Sequence, residues 1–289
     1  MVKRNLFRSV AALVVIIICI VSALFWLLKG HWHDPLAPFV GGKLSPPSWQ
    51  FVMGTDHLGR DLFSRLLYAA GITLGLSGLA VVLAMLVGVL LGTLAGFNVV
   101  PWLTPAILFI AQFSLVFPVR WLPLLIVALL GQGMAGMVLS MVLALWGQFM
   151  WIIYDEARGL KGRTFIKAAY LLGATRWGVV RMHVLPHMIP VAAVLGVFAF
   201  RTAIGVISTL SFLGIGLQPP TPTWGLMIAE GHPYFLQAWW TVAFPTIALA
   251  CSVLIASALG NKLELKWKKR ISIKAGEGST EHEYRRSAS

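Results

Sequence analysis

The chain has 289 residues, 58% of them hydrophobic and only 11% charged, with a mean hydropathy of +0.82. A soluble domain carries roughly 25% charged residues to face water, so the composition excludes an ordinary soluble globule and makes lipid the solvent for much of the chain. The formal net charge of +13 is divided among segments that flank apolar runs, which is a membrane pattern and argues against a nucleic-acid partner, since that needs a basic soluble face.

An uncharged run over residues 10–28 follows Lys3, Arg4 and Arg8. It is long for a signal-peptide core and no small-residue cleavage site follows it, so an uncleaved anchor helix is expected after a short N-terminus, residues 1–9. A polar external segment, 29–70, comes next. Its His31, His33 and Asp34 have the chemistry of metal ligands, but a cluster just outside a span reads as a solvated face. The core, 71–260, holds five further expected spans. The second span covers about 71–97. The third covers about 101–130, with Pro118 and Pro123 expected to kink it. A glycine-rich turn, 131–136, leads to a fourth span ending near Ile153. A charged segment, 154–187, carries no span. The fifth and sixth spans cover about 188–212 and 238–260, and a basic tail, 261–289, closes the chain. Cys19 and Cys251 lie far apart in apolar runs and imply neither a metal site nor a disulfide framework.

Lys and Arg sort by side. The N-terminus, the 154–187 segment and the tail together hold seventeen; the 29–70 segment holds four, Lys29, Lys43, Arg60 and Arg65. Both termini and 154–187 are therefore expected in the cytoplasm, and 29–70 and 213–237 outside. Arg120 and Arg201 fall in or at the ends of spans. Arg201, near the middle of the fifth, is expected to face the bundle interior, beside a solute path or a partner, because a charge at the bilayer centre costs roughly 2.5–3.5 kcal/mol.

In the 154–187 segment, Ile166, Ala169, Tyr170 and Gly173 sit at helical spacing. Ala168 and Ala169 keep one face thin, Gly173 permits a helix stop, a second short helix starts near Thr175, and Pro186 is expected to break it before the fifth span. In the 29–70 segment, Gly54 and Gly59 allow tight turns, Asp56 is placed to cap the following helix, and Arg60, Asp61 and Arg65 are placed to pair in a packed collar. After the fifth span, Gly214 and Gly216 loosen the helix end, three prolines stiffen the exit, and Trp224 suits a membrane interface.

Three of these stretches resemble one family. Ala168, Ala169, Gly173, Leu185 and Pro186 match, at the right spacings, the Glu-Ala-Ala, three residues, Gly, nine residues, Ile-x-Leu-Pro motif of ABC importer permeases. Lys167 stands where the family has its acidic residue and His183 where it has Ile, and Met182-His-Val-Leu-Pro-His187 fits the peptide and nickel branch. Gly54-Thr-Asp-His-Leu-Gly-Arg-Asp-Leu-Phe-Ser-Arg65 is similar to that branch's Gly-Thr-Asp-x-x-Gly-Arg-Asp-x-x-Ser-Arg signature, and 211–225 to its segment after the fifth span. The resemblance covers about 10–260. It departs near Gln112, where an acidic residue is expected, and at Gly260-Asn-Lys-Leu-Glu-Leu265, where the family reads Gly-Asp-x-Leu-Arg-Asp. It implies an all-α, polytopic ABC type I importer permease fold with about six spans in a bacterial inner membrane. It further implies a second homologous permease, two ATP-binding subunits that hold ATP and Mg, and an extracytoplasmic solute-binding protein. Lys167, Ala168, Ala169, Gly173, Leu185 and Pro186 would couple to an ATP-binding subunit.

Catalytic signals are not found in the chain. A phosphate-cradling loop needs Lys followed by Ser or Thr, and no Lys here is so followed, so the chain is expected to be no enzyme and to hold no cofactor. The rival class is a secondary transporter or channel acting without ATPases. Ion coupling usually needs intramembrane acids; no acid lies inside an expected span, and Glu230 is near one.

Overall fold

A computed structural model of the chain describes residues 33–118 and 121–287, with side chains through Leu265. The helices are α1 (Leu62–Phe97), α2 (Thr104–Val116), α3 (Trp121–Leu130), α4 (Met134–Leu160), α5 (Thr164–Leu171), α6 (Arg176–Val179), α7 (Leu185–Phe212), α8 (Trp224–Gly231) and α9 (Trp240–Ser287). Among the described residues the one β feature is an isolated bridge between Thr55 and Asp61. Among the described residues four helical stretches are long and apolar enough to cross a membrane: Leu62–Phe97, Met134–Leu160, Arg176–Phe212 and Trp240–Leu265. α2 and α3 together make a fifth crossing only as a bent pair. The expected first span, 10–28, lies outside the described residues, as do His31 and Arg120.

Helix α1 starts at Leu62, nine residues before the expected start. Asp61 stops it, its carboxylate accepting from the Ser64 N–H at 3.0 Å, and Leu62, Leu66 and Ala69 bury one face of the added turns. At about 54 Å the helix runs the length of the bundle. It ends in a Schellman turn: Asn98 sits at φ 50°, its N–H donates to Ala95 O, and Val99 N–H donates to Leu94 O.

The central helix is α4, packed against α1, α2, α3 and α7. Its contact with α1 is close because α1 offers glycines there. A Cβ on Gly88 would lie 2.4 Å from Phe149 Cβ, and one on Gly92 would lie 2.6 Å from the Met150 carbonyl oxygen. α4 also outruns the sequence expectation by almost two turns. Ile153, Ala157 and Leu160 keep one face buried, which lets Asp155, Glu156 and Arg158 ride on the other faces of the same helix.

The expected third span breaks instead of kinking, and α2 and α3 meet at 103°. Pro118 causes the break. Phe117 before it is extended, φ −82° and ψ 130°, as a residue preceding proline prefers. Pro123 lies in the first turn of α3, where its missing N–H has no helical partner to lose. The expected turn at 131–136 is shorter: Gly131 and Gly133 take φ 92° and 135°, and α4 begins at Met134.

The reverse holds at Pro186. It was expected to break the chain, yet helix continues from Arg176 through Phe212. Val180–Val184 is a π-helical turn, and Leu185 N–H bonds back five residues to Val180 O. The wider turn accommodates the ring of Pro186, which has no N–H to satisfy.

The glycine contacts predict a contrast within one helix. Gly92→Ala drives a methyl into a backbone carbonyl and should cost about 1–3 kcal/mol. Gly75→Ala, whose Cβ meets nothing within 4 Å, should be neutral or stabilising by about 0.4–1 kcal/mol. Thermal unfolding of the two variants in one detergent checks this; equal melting temperatures would remove the close contact from the account.

Candidate functional site

Functional side chains gather at the two ends of the bundle. At the N-terminal end of α1 the segment 54–65 folds into a collar. Gly54 and Gly59 take φ 76° and 72°, the tight turns expected of them. Leu62 N–H closes onto Gly54 O at 3.1 Å and Asp56 N–H onto Arg60 O at 3.1 Å. Inside this loop Asp56 works as a hub. Its Oδ1 accepts from the Leu58 N–H at 2.8 Å and the Arg60 N–H at 3.0 Å. Its Oδ2 accepts from Arg60 Nε at 2.6 Å and from Arg65 Nη1. The roles expected of the two aspartates are therefore exchanged: Asp61 caps α1, and Asp56 binds both arginines. Asp56 is too far from the helix start to cap it and is held by its own turn.

Glu230 on α8 completes the cluster, accepting from Arg60 Nη2 at 3.3 Å and Arg65 Nη2 at 3.0 Å. Two guanidinium groups and two carboxylates thus form a closed, charge-balanced clasp between the collar and α8. Asp56, Arg60 and Arg65 are all under 5% exposed. α8 reaches this position by lying on the backbone of α7, where a Cβ on Gly225 would be 2.0 Å from Ser208 O. Trp224 is a second tie. It is buried rather than interfacial, and donates from its N–H to Thr73 Oγ1 at 3.3 Å and from Nε1 to Leu66 O at 3.1 Å. Trp240 Nε1 donates to Thr55 O at 3.2 Å, and His57 stacks on Tyr234 with centroids 5.7 Å apart.

Asp56, His57 and Glu230 have ligand-capable atoms within 4.8 Å of one another, but both carboxylates already face guanidinium groups, so the arrangement is an ion-pair clasp rather than a metal centre. His33 lies against the Phe51 ring at 5.4 Å and Asp34 accepts from the Leu36 N–H, so the described part of the N-terminal cluster is not gathered as ligands. Sequence reasoning placed Glu230 only near a span. The available signal was that Glu230 is the sole acid in 213–237, facing two arginines in 54–65.

At the opposite end, α5 is seated by Ile166 and Ala169 in an apolar cluster with Ile153, Ala157, Val179, Val180, Val184 and Met188. Ala169 is buried against this cluster and fits the helix to its own bundle. Lys167, Ala168 and Gly173 are exposed, Leu185 is partly buried and Pro186 is exposed. Gly173, φ 84°, ends α5 in a Schellman turn, with Gly173 N–H on Tyr170 O and Ala174 N–H on Ala169 O. Thr175 then caps α6 through Gly178 N–H at 3.1 Å. Leu171 and Leu172, each 89% exposed, stand at this turn. The motif match did not single them out.

Arg201 is exposed on α7. Its Nη1 is 3.5 Å from Ser257 Oγ on α9, and its guanidinium is 5.8 Å from the Phe198 ring centroid.

Long apolar helices, clasped at one end and carrying a short seated helix with an apolar tip at the other, fit a membrane transport subunit. Residues 88–269 match the family described as binding-protein-dependent transport system inner membrane component, and the chain belongs to that family, as an ABC importer permease of the peptide and nickel kind in the bacterial inner membrane. It is 33% identical to the di/tripeptide transport system permease protein DppC of Pseudomonas aeruginosa strain UCBPP-PA14, over 88% of this chain and 86% of the relative. It is 32% identical to the probable D,D-dipeptide transport system permease protein DdpC of Escherichia coli K12, over 88% and 84%. It is 31% identical to the nickel transport system permease protein NikC of the same organism, over 86% and 90%.

Burial alone would push the Asp56 carboxyl up, but Arg65 and Arg60 outweigh it and hold it below the usual carboxylate range. The clasp's stabilisation is therefore complete above the unfolded value of about 3.9 and is lost as pH falls through the lower folded value. Asp56→Asn leaves two buried guanidinium groups on one carboxylate and should cost about 3–5 kcal/mol. Its deficit in melting temperature should be constant from about pH 7 to 5 and shrink below about pH 4. A deficit that grows in acid would contradict the clasp.

Proposed function

We propose that this chain is one of two homologous permeases in an ATP-driven, binding-protein-dependent importer for peptides or nickel complexes. The relatives named for di/tripeptide, D,D-dipeptide and nickel transport support that solute class. In this reading the collar and α8 face outward, where a solute-binding protein docks. The α5–α6 segment and both termini lie in the cytoplasm, where two partner subunits bind ATP and Mg. This chain supplies the path and the coupling surface.

The observation that carries the reading is the exposed pair Leu171 and Leu172 at the end of a helix seated by Ile166 and Ala169. Two adjacent leucines, each 89% exposed in the protomer, make an apolar tip of the kind that a partner surface covers. The seat formed by Ile166 and Ala169 fixes their position, so a push on the tip reaches α4 and α7 rather than being absorbed by a loose loop. The residues that touch the ATP-binding subunit are then Lys167, Ala168, Leu171, Leu172 and Gly173, with Ala169 behind them and Leu185 and Pro186 at the join to α7. The reading of an ATP-independent transporter offers no use for such a tip.

Two outcomes are expected. Leu171→Ala with Leu172→Ala should keep the permease stable yet lose most co-purifying ATP-binding subunit and most solute-stimulated ATPase activity. Gly173→Asp should do the same and also lower stability, because a β-carbon is strained at that φ. Normal coupling in both variants would sink the docking assignment. Reporter fusions after Gly30 and near Thr221 should both signal the outer side; a cytoplasmic signal from either would overturn the orientation.

A further inference from the structure

At the α5 end of the bundle three cations converge on the last turn of α1. Arg158 lies in the last turn of α4, and Lys161 follows as the cap of that helix. Lys161 Nζ stands over the Phe97 ring, 5.8 Å from its centroid. Arg176, at the start of α6, reaches the next residue of α1's end, its Nη1 donating to Asn98 O at 3.3 Å. α1 and α4 are close here: a Cβ on Gly96 would lie 2.7 Å from Ala157 Cβ and 3.4 Å from Arg158 N. Two separate segments thus bring their cations to Phe97 and Asn98.

Little in the protomer balances this charge. Among the described residues no carboxylate lies within ion-pair distance of Arg158, Lys161 or Arg176. Glu156 is turned toward His187 instead, at 3.7 Å. The carbonyl end of α1 supplies about half a negative charge, against three positive ones. Partial burial, and then the charges of Arg158 and Arg176, hold the Lys161 ammonium below the usual lysine range. Lys161 and Arg176 are tied to the end of α1 although free cations would splay apart into water. Cations held together in this way suit one shared anion, and a phosphate matches the guanidinium fork.

The surroundings are those of a membrane surface. The last exposed apolar side chain of α1 before the cluster is Leu90. From Leu90 to Phe97 the helix rises about 10 Å, which takes it from the acyl region to headgroup depth. The loop that follows is compact, with Thr104 Oγ1 donating to Asn98 Oδ1 at 2.9 Å, and it exposes Trp102, a residue that suits the interface. Beyond it α2 exposes Phe109, Ile110 and Phe113, apolar surface for acyl chains.

We propose that Arg158, Lys161 and Arg176 form a binding site for the phosphate of an anionic phospholipid in the leaflet at the α5 end, with Trp102 beside the headgroup and the acyl chains along α2. The apolar face of α2 favours a lipid over an acidic protein surface, which would leave that face uncovered. A phosphate shared by the three cations ties α4 and α6 to the end of α1, and so braces the seat of α5. The site follows from placement in a membrane and needs neither the solute nor the ATP-binding subunits.

The test titrates the full-length chain, in a non-ionic detergent, with dioleoyl phosphatidylglycerol, dioleoyl phosphatidylcholine or inorganic phosphate. Native mass spectrometry counts bound lipid, and the melting temperature is followed in parallel. The wild-type chain should bind phosphatidylglycerol about ten-fold more tightly than phosphatidylcholine, and only phosphatidylglycerol should raise its melting temperature. Changing Arg158, Lys161 and Arg176 together to Gln should lower that affinity about ten-fold or more. Lys161→Gln, which breaks no side-chain hydrogen bond among the described residues, should alone lower it about five-fold, and Lys161→Arg should keep it. Changing Lys266, Lys268 and Lys269 of the tail to Gln removes the same charge and should leave it within two-fold. Should the triple site variant not fold, the two Lys161 variants decide. Site variants within two-fold of wild type overturn the proposal, and so does an equal loss from the tail variant, which would make the effect one of overall charge. An equal rise in melting temperature with inorganic phosphate overturns it as well. So does loss of the ATP-binding subunit from Lys161→Gln in the whole assembly with lipid affinity unchanged, because the cluster would then face a protein.

Discussion

The contact between α1 and α4 is the constraint on which the other features depend. α1 carries the collar at its N-terminal end, and α4 carries the seat of α5 at its C-terminal end, so this interface joins the two working ends of the molecule, as α7 also does along its length. In lipid there is little hydrophobic drive to hold two apolar helices together, and close backbone approach supplies the attraction instead. Gly88 and Gly92 make that approach possible, since any side chain there would meet Phe149 or the α4 backbone. A contact with no side chain between the backbones also leaves little room to slide. Tilting of α4 therefore moves α1, and a push at α5 has a stiff route to the collar.

The clasp closes this frame at one end. α8 has only eight residues and lies outside the long spans, so it needs fixing from several directions. The backbone contact at Gly225 sets its distance from α7, Trp224 ties it to α1, and Glu230 ties it to the collar. Each guanidinium of Arg60 and Arg65 bridges two carboxylates from different segments. This pays for burial of the charges only while all four are present, which is why the clasp behaves as a unit and not as separable bonds.

Much of this was legible in the residues. Apolar length located the second, fourth, fifth and sixth expected spans as helices long enough to cross a membrane, and glycine and threonine marked the turn at Gly173 and the helix start near Thr175. Span ends were less legible, because hydropathy marks where a helix leaves lipid and not where it stops. Thus α1 begins at its Asp61 cap and α4 runs on along Ile153, Ala157 and Leu160. Proline was read with too little context. Pro118 breaks the chain because Phe117 becomes extended, whereas Pro186 does not, because a π turn widens ahead of it. At the site, motif spacing picked out Asp56, Arg60 and Arg65 but could not supply Glu230, which arrives from 165 residues away. Motif spacing also grouped Ala168 with Ala169, although adjacent helix positions point in different directions.

The arginines show most plainly what a charge means in this chain. By composition, Arg65 and Arg201 are alike: each is a lone basic residue in an apolar helix. Folding gives Arg65 1% exposure and two carboxylates, and so turns it into structure. It leaves Arg201 exposed with a distant serine. Burying Arg65 in the collar and placing Arg201 within a span both cost free energy, so each charge must be offset. For Arg65 the offset lies within the fold and is constant. For Arg201 it must come from water, a neighbouring chain or a passing anion, none of which belongs to the protomer. The fold thus pairs Arg60 and Arg65 with carboxylates of its own and leaves the charge of Arg201 to be offset from outside the protomer.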